Sequence, residues 1–419
     1  MMKIIIPTTT LITNILLLHL GSIPLTHAFT ISNHFMTAFT TTTTTHNLKK
    51  KQNLMNLKGL ISSGDVVTTA GEASDESLLS KSTLTLLEHI NLNVPNHDYI
   101  LDFYFNILGM GLDPRRAQNV VKGSGTVWAN CGASQFHLPY GEMAQVIPGS
   151  IGLVYDDLTG LVNRLDSYQD VEDKPYSEYS IVDRDGDDSN GIIKSVRIVD
   201  RYGNEFYCRL RMNKSSNELI NIAKQPIVYS DNEDHINEFD DIASKYGLKQ
   251  GEETECKGIS YVEFNVMKGK NIVENIAEFY DCVFDAPTNV VTDPRDGNKI
   301  AIIGFGDIDD DTGKASQSLL YREVYDTDDL DSIPKYDGHH IALYVGENFA
   351  DFEKAFENIV EAGVLWVNPR FSDKATNLNT AKKWKQFRFK NILSLEFGKK
   401  IFELEHEVRS RDHEAWPGQ

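Results

Sequence analysis

The sequence predicts an α+β fold built from four βαβββ modules in succession and grouped as two tandem domains. Three observations lead there. A strand-like run opens each of four well-separated stretches, and in the first of them apolar and polar residues alternate with a period of two. A stretch with helical spacing and then further strand-like runs follow each of them, so the chain reads as an internal repeat. A polar, mostly charged stretch over 213–255 separates the second repeat from the third, where an interdomain linker is expected. At 419 residues the chain is long enough for two cores.

Residues 1–28 contain one lysine, an apolar stretch Leu11–Leu20 and the ending Thr26-His27-Ala28, the pattern of a signal peptide rather than of a membrane span. Residues 29–64 open with Phe29, are rich in Thr and Lys, and contain no carboxylate, since the first in the chain is Asp65. That composition is transit-like and disordered. Together the two segments resemble the bipartite presequences of algae with secondary plastids, which implies a plastid destination; plain secretion is the alternative.

The first domain is expected over 84–212. Its first module opens at His89-Ile90-Asn91-Leu92-Asn93-Val94, where Ile90, Leu92 and Val94 make the apolar face. Pro95 ends that strand, Asn96 or Asp98 can cap a helix around Tyr99–Leu108, and Gly109 stops it. Strands follow at Gly125–Asn130 and Ser134–Leu138, with Gly132 as the hairpin signal. The second module opens at Gly149–Val154, has a helix near Asp157–Leu165, and closes with Asn204–Arg209.

The second domain is expected over 256–411. Its modules open at Ile259–Phe264 and His339–Val345, carry helices at Ile272–Val283 and Phe349–Ala362, and close with Ser316–Glu323 and Ile401–Glu405. Glu405–Ser410 is read as the end of the last strand crossing an edge. The linker is expected to be unstructured at Lys224–Asp234. The acidic runs Asp307–Asp311 and Asp326–Asp331 lack the Gly and terminal Glu of a calcium loop and read as solvated.

The formal charge is −20, and −25 once the acid-free first 64 residues are set aside. No basic face is available for a nucleic-acid partner. Cys131, Cys208, Cys256 and Cys282 are far apart in sequence and read as reduced thiols. No membrane partner is expected for the mature protein.

Four such modules, with His89-Ile90-Asn91-Leu92-Asn93-Val94-Pro95, Asp102-Phe103-Tyr104, Gln135-Phe136-His137-Leu138-Pro139, His340-Ile341-Ala342 and Phe402-Glu403-Leu404, resemble the vicinal oxygen chelate superfamily. That superfamily includes glyoxalase I, extradiol dioxygenases and fosfomycin-resistance proteins. The resemblance implies glyoxalase-like domains in which two modules pair and hold a divalent metal, with ligands from their first and last strands. In this sequence those positions give His89 and His137 in module one and His340 and Glu403 in module four. Imidazoles with a carboxylate suit Zn, Fe(II), Mn, Ni or Co rather than Ca or Mg. Modules two and three offer Ser150, a residue near Tyr207, Tyr261 and a residue near Leu320, none a good ligand; Glu263 stands alone.

With ligands only in the first and last modules, the expectation is that module one pairs with four and two with three, giving one metal centre and one degenerate cleft in a monomer. Pairing within each half, or completion across a homodimer, is the alternative. The implied activity is glyoxalase-like, of isomerase or lyase type: the metal polarises adjacent oxygens of a small-molecule substrate and Glu403 serves as both ligand and base. Arg115, Trp128 and Arg388 are expected to contact substrate. An extradiol-type Fe(II) dioxygenase and a catalytically inactive binding or scaffold protein are the other readings.

Overall fold

The computed structural model describes residues 83–185, 191–211, 233–249, 254–269, 271–308, 315–326 and 333–416. The segments 1–28 and 29–64 lie outside the described residues, as do most of Asp307–Asp311 and Asp326–Asp331. Among the described residues no helix is long and apolar enough to cross a membrane, and the four cysteines are free and buried.

Module one consists of β1 (Leu84–Asn91), a helical run that starts as α1 (His97–Tyr99) and continues as a π-helix over Ile100–Ile107, then β2 (Gly111–Leu112), a short α2 (Ala117–Lys122), β3 (Thr126–Cys131) and β4 (Ser134–Pro139). The Asn96 side chain accepts hydrogen bonds from the backbone N–H groups of Asp98 and Tyr99, so the strand-to-helix turn is capped as its sequence predicts. Gly109 takes φ 65°, a conformation L side chains resist, and ends the helical run.

Module two contains β5 (Gly149–Tyr155), α3 (Thr159–Ser167), β6 (Tyr176–Arg184), β7 (Ile193–Asp200) and β8 (Glu205–Leu210). A helix α4 (Glu233–Tyr246) precedes module three, which is β9 (Cys256–Met267), α5 (Ile272–Phe284), β10 (Thr288–Thr292), β11 (Lys299–Ile308) and β12 (Ala315–Tyr325). Module four is β13 (His340–Val345), α6 (Phe349–Glu361), β14 (Leu365–Trp366), α7 (Leu378–Trp384), β15 (Gln386–Ser394) and β16 (Lys399–Ser410).

The sixteen strands form two eight-stranded sheets, ordered β14-β15-β16-β13-β1-β4-β3-β2 and β10-β11-β12-β9-β5-β8-β7-β6. In every module the first strand runs parallel to the fourth. Modules join through their first strands, antiparallel: β1 with β13, and β5 with β9. The first sheet therefore unites modules one and four, and the second unites two and three. Each sequence half gives one module to each sheet.

Helix packing between the sheets runs the other way, within each half. Tyr99 on α1 donates from its hydroxyl to Asp200 Oδ2 of module two at 2.7 Å, and Tyr155 of module two donates to the Leu108 carbonyl at 2.9 Å. In the second half, α5 of module three packs on β15, with the Phe279 and Phe389 rings 6.0 Å apart. One apolar core contains residues of all four modules. Sheet pairing across the halves and helix packing within them tie the modules together.

A buried polar chain crosses that packing. His406 Nδ1 lies 2.8 Å from the Leu404 carbonyl, which can only accept, so Nδ1 carries the proton and Nε2 accepts from the Tyr280 hydroxyl at 2.5 Å. Tyr280 in turn accepts from Tyr321 at 2.5 Å. Burial lowers the His406 pKa to about 3, so the ring stays neutral. Tyr280→Phe strands a buried acceptor on His406 and is expected to lower unfolding stability by about 1–3 kcal/mol, whereas Tyr321→Phe costs about 1. Urea denaturation of the two variants checks the order.

The stretch over 213–255, expected as an interdomain linker, contains α4, with Ile242 and Ala243 buried, and the Leu112 N–H donates to the Lys249 carbonyl at 3.3 Å. Its dense charges masked the helical spacing of Ile236, Phe239, Ala243 and Tyr246. Residues 212–232, including the start of the stretch expected to be unstructured, lie outside the described residues. Glu405–Ser410 is the end of the last strand, as expected, but it does not cross an edge: β16 lies between β13 and β15 through to Ser410, so Glu407 and Arg409 are interior strand residues.

Candidate metal centre

Four side chains converge where β1 and β13 meet at the middle of the first sheet: His89 on β1, His137 on β4, His340 on β13 and Glu407 on β16. Potential ligand atoms of His89, His340 and Glu407 lie within 4.8 Å of one another, as do those of Glu88, His89 and His137. The His89 and His137 rings stack with centroids 3.7 Å apart, and the His89 and His340 centroids are 5.5 Å apart. All four residues are buried.

The sheet register explains the constellation. Along the parallel β1–β4 pair Asn91 faces His137, so His137 sits two positions beyond His89. Along β13–β16 Ala342 faces Glu407, the same two-residue offset from His340. The centre is thus a pseudo-symmetric pair of pairs, His89 with His137 and His340 with Glu407.

Hydrogen bonds set the tautomers. Glu88 Oε2 accepts from the Arg409 guanidinium at 2.8 Å and lies 2.6 Å from His89 Nδ1, so Nδ1 donates and Nε2 keeps its lone pair. Gln135 Nε2 donates to Asp113 Oδ2 and Asn130 Oδ1, both at 2.7 Å, so its Oε1 accepts from His137 Nε2 at 3.1 Å. The His137 Nδ1 lone pair is left for another partner. His89 Nε2 and His340 Nδ1 are buried with no hydrogen-bond partner among the described residues. Orphaned imidazole nitrogens in this cluster fit a transition metal, and His89 and His137 are each tethered through the other nitrogen as ligating histidines are, whereas His340 Nε2 faces Glu407 Oε2 at 3.9 Å.

Electrostatics point the same way. Burial, followed by the Arg409 charge, holds His89 well below its ordinary pKa; burial does the same for His137 and His340. All three are neutral imidazoles, the form that ligates. Burial alone would push Glu407 up, but Arg388 and Arg409 hold its carboxyl well below the usual range. Arg409 Nε lies 2.6 Å from Glu407 Oε1, and Arg388 Nη2 donates to Glu407 Oε2. Arg388 also bonds Glu405 Oε1 at 2.8 Å and Asp373 Oδ2 at 3.1 Å.

Of the residues expected from sequence, His89, His137 and His340 meet in this centre. Glu403 does not. It lies on β16 four residues before Glu407, half-buried, with Lys390 Nζ at 2.5 Å and Lys400 Nζ at 2.7 Å. Burial would raise its pKa, but these two lysines lower it. A four-residue displacement preserves the face of a strand, which is how Glu403 satisfies the alternation while lying away from the three histidines. A signal for Glu407 is present in the sequence: Glu405-His406-Glu407-Val408 repeats the polar–aromatic–ligand–aliphatic order of Gln135-Phe136-His137-Leu138.

Arg388 is also reassigned: it is buried, and its guanidinium is committed to Glu405, Glu407 and Asp373 rather than open to substrate. Trp128 faces His137 across β3–β4 and stacks on it with centroids 4.3 Å apart. Arg115 pairs with Asp113 at 2.9 Å and lies 4.4 Å from the Trp128 ring centre. Both border the centre. Glu88 and Arg409, absent from the sequence reading, are the second layer that orients His89 and Glu407.

In the second sheet the equivalent offsets pick out Ser150 with Tyr207 and Tyr261 with Leu320. Ser150 Oγ lies 3.3 Å from the Tyr261 hydroxyl and 3.5 Å from Glu263 Oε1. No group of metal ligands assembles there among the described residues.

No protein-family model matches the chain, and no curated protein matches it in sequence. Solved structures do. A mutant of glyoxalase I from Zea mays is 13% identical, with 78% of this chain and 92% of that chain covered and a TM-score of 0.42. A Bacillus subtilis protein provisionally described as a dioxygenase is 13% identical, covering 80% of this chain and 88% of its own, with a TM-score of 0.43. The 2,2',3-trihydroxybiphenyl 1,2-dioxygenase of Sphingomonas wittichii is 11% identical, with 78% and 90% covered and a TM-score of 0.24.

Proposed function

We propose that this chain, whose paired βαβββ modules have the vicinal oxygen chelate fold, is a metal-dependent enzyme acting on a small substrate with adjacent oxygens. The observation that carries the reading is the convergence of His89 with His340 and Glu407, and of His89 with His137 beside it, with two buried imidazole nitrogens lacking a partner. His89, His137, His340 and Glu407 would hold the ion. A divalent transition metal bound there supplies Lewis-acid polarisation of carbonyl or hydroxyl oxygens.

The chain's own residues do the rest. Glu88 and Gln135 fix the ring tautomers, and Arg388 and Arg409 keep Glu407 ionised. A carboxylate stabilised by two guanidiniums is a weak proton acceptor, so Glu407 acts as ligand rather than as general base. That argues for polarisation of substrate over the carboxylate-based proton shuttle expected of Glu403. Trp128, stacked on His137, presents a flat apolar wall beside the centre.

A second reading, a binding protein without turnover, is favoured by one observation: both Glu407 oxygens already receive guanidinium donors. Elemental analysis of the purified full chain separates the readings. About one equivalent of Zn, Fe, Mn, Ni or Co is expected, reduced to less than about a tenth in His89→Ala. A cobalt-loaded sample should change its visible spectrum on addition of a catechol or hydroxamate. Absence of bound metal sinks the metal-dependent enzyme and leaves the binding protein, as does bound metal with an inert spectrum.

A further inference from the structure

The ladder between β1 and β13 is broken directly before the first ligand. Leu87 faces Leu343 and His89 faces Ala342, so Glu88 is one extra residue, a bulge in β1. Because of it, neighbouring side chains that a regular strand would send to opposite faces meet each other, Glu88 Oε2 on His89 Nδ1 at 2.6 Å.

What pins the bulge comes from the other sheet. Gln317 on β12 of module three is 7% exposed. Its Oε1 accepts from the Leu87 N–H at 2.9 Å, and its Nε2 reaches the Leu87 carbonyl at 3.2 Å. One primary amide thus occupies both polar groups of the peptide residue that begins the bulge. Gln317 Nε2 also donates to Ser134 Oγ at 3.0 Å and the Ile259 carbonyl at 2.8 Å, while Ser134 Oγ donates to the Leu87 carbonyl at 2.9 Å. The acceptors around Nε2 and the donor at Oε1 allow one amide orientation. The clamp thereby ties β1 to β4, β9 and β12.

We infer that Gln317, a residue of the sheet without ligands, is a positioning residue for the metal centre: it holds the β1 bulge that brings Glu88 and His89 together. Release of the bulge permits a one-residue slip, which exchanges the faces of Glu88 and His89. The inference rests on the metal reading for its consequence and on hydrogen-bond geometry for its cause.

Gln317→Leu in the full chain keeps volume and removes every bond that Gln317 makes, leaving only Ser134 Oγ on the Leu87 carbonyl. Tyr176→Phe, which removes a buried hydroxyl bond to the Leu165 carbonyl in module two, serves as a control for lost stability. Cobalt(II) titration followed by visible spectroscopy should show affinity lowered about tenfold or more and altered d–d bands in Gln317→Leu, with Tyr176→Phe within about twofold of the parent. On metal-free protein, nitrogen-15 histidine spectra should lose the Nδ1–H signature of His89 in Gln317→Leu and retain that of His406. An unchanged His89 signature with unchanged cobalt bands overturns the clamp. Failure of the parent chain to bind cobalt overturns the metal reading, and the metal-free histidine spectra then decide the clamp by themselves.

Discussion

Glu407→Gln is expected to weaken transition-metal binding by on the order of 100-fold, whereas Glu403→Gln changes it by less than about twofold. The two glutamates share a strand, a face and a residue type, so the contrast tests the register rather than the chemistry. Gln keeps the shape and one carbonyl acceptor at position 407 but removes the charge that offsets the cation and leaves Arg388 and Arg409 short of an anion. At position 403 the loss is of two half-exposed lysine ion pairs near the start of β16, and such pairs contribute about 0–1 kcal/mol each. Competition against a chromogenic chelator measures both affinities. Equal loss in the two variants, or loss only in Glu403→Gln, would falsify the assignment of Glu407.

How the sequence led to Glu403 shows what it can specify. Period-two alternation identified β1, β4, β9 and β13 and placed His89, His137 and His340 on one face, because a face is a local property of a strand. It did not fix how far β16 slides along β13, since Glu403, Glu405 and Glu407 all lie on the same side of that strand. Register is decided by partners on other strands. The same limit hid the bulge at Glu88: the extra residue becomes visible only when Leu87 and His89 are both paired to β13. It also hid the role of Arg388, which reads as an exposed strand-end cation until Glu405, Glu407 and Asp373 are placed around it.

The division of labour between the sheets was legible for a related reason. Ligand-type residues were found only in modules one and four, and the strand pairings place those modules in one sheet. Ser150, Tyr207, Tyr261 and Leu320 hold the matching positions of the other sheet, at the same two-residue offset. The two sheets differ in chemistry but share this offset. The sheet without ligands still contributes Gln317 to the strand that carries His89, so its retention has a physical reason that does not depend on a second reaction.

Arg409→Met is expected to lower the melting temperature of the metal-free chain by on the order of 10 °C and that of the metal-loaded chain by clearly less. Arg409 is 8% exposed and serves two buried carboxylates, Glu88 at 2.8 Å and Glu407 at 2.6 Å. Met fills much of the volume without the charge, so the variant isolates electrostatics from packing. Removing one partner of a buried ion cluster leaves uncompensated charge, a penalty of about 3–5 kcal/mol. A bound divalent cation supplies Glu407 with a replacement counter-charge, while Glu88 keeps only the His89 Nδ1–H donor. The stabilisation gained on adding cobalt(II) or zinc should therefore be larger in Arg409→Met than in the parent, by scanning calorimetry with and without chelator. If the guanidinium instead stands permanently in the place of a cation, as the binding-protein reading implies, the two melting temperatures of Arg409→Met will fall together.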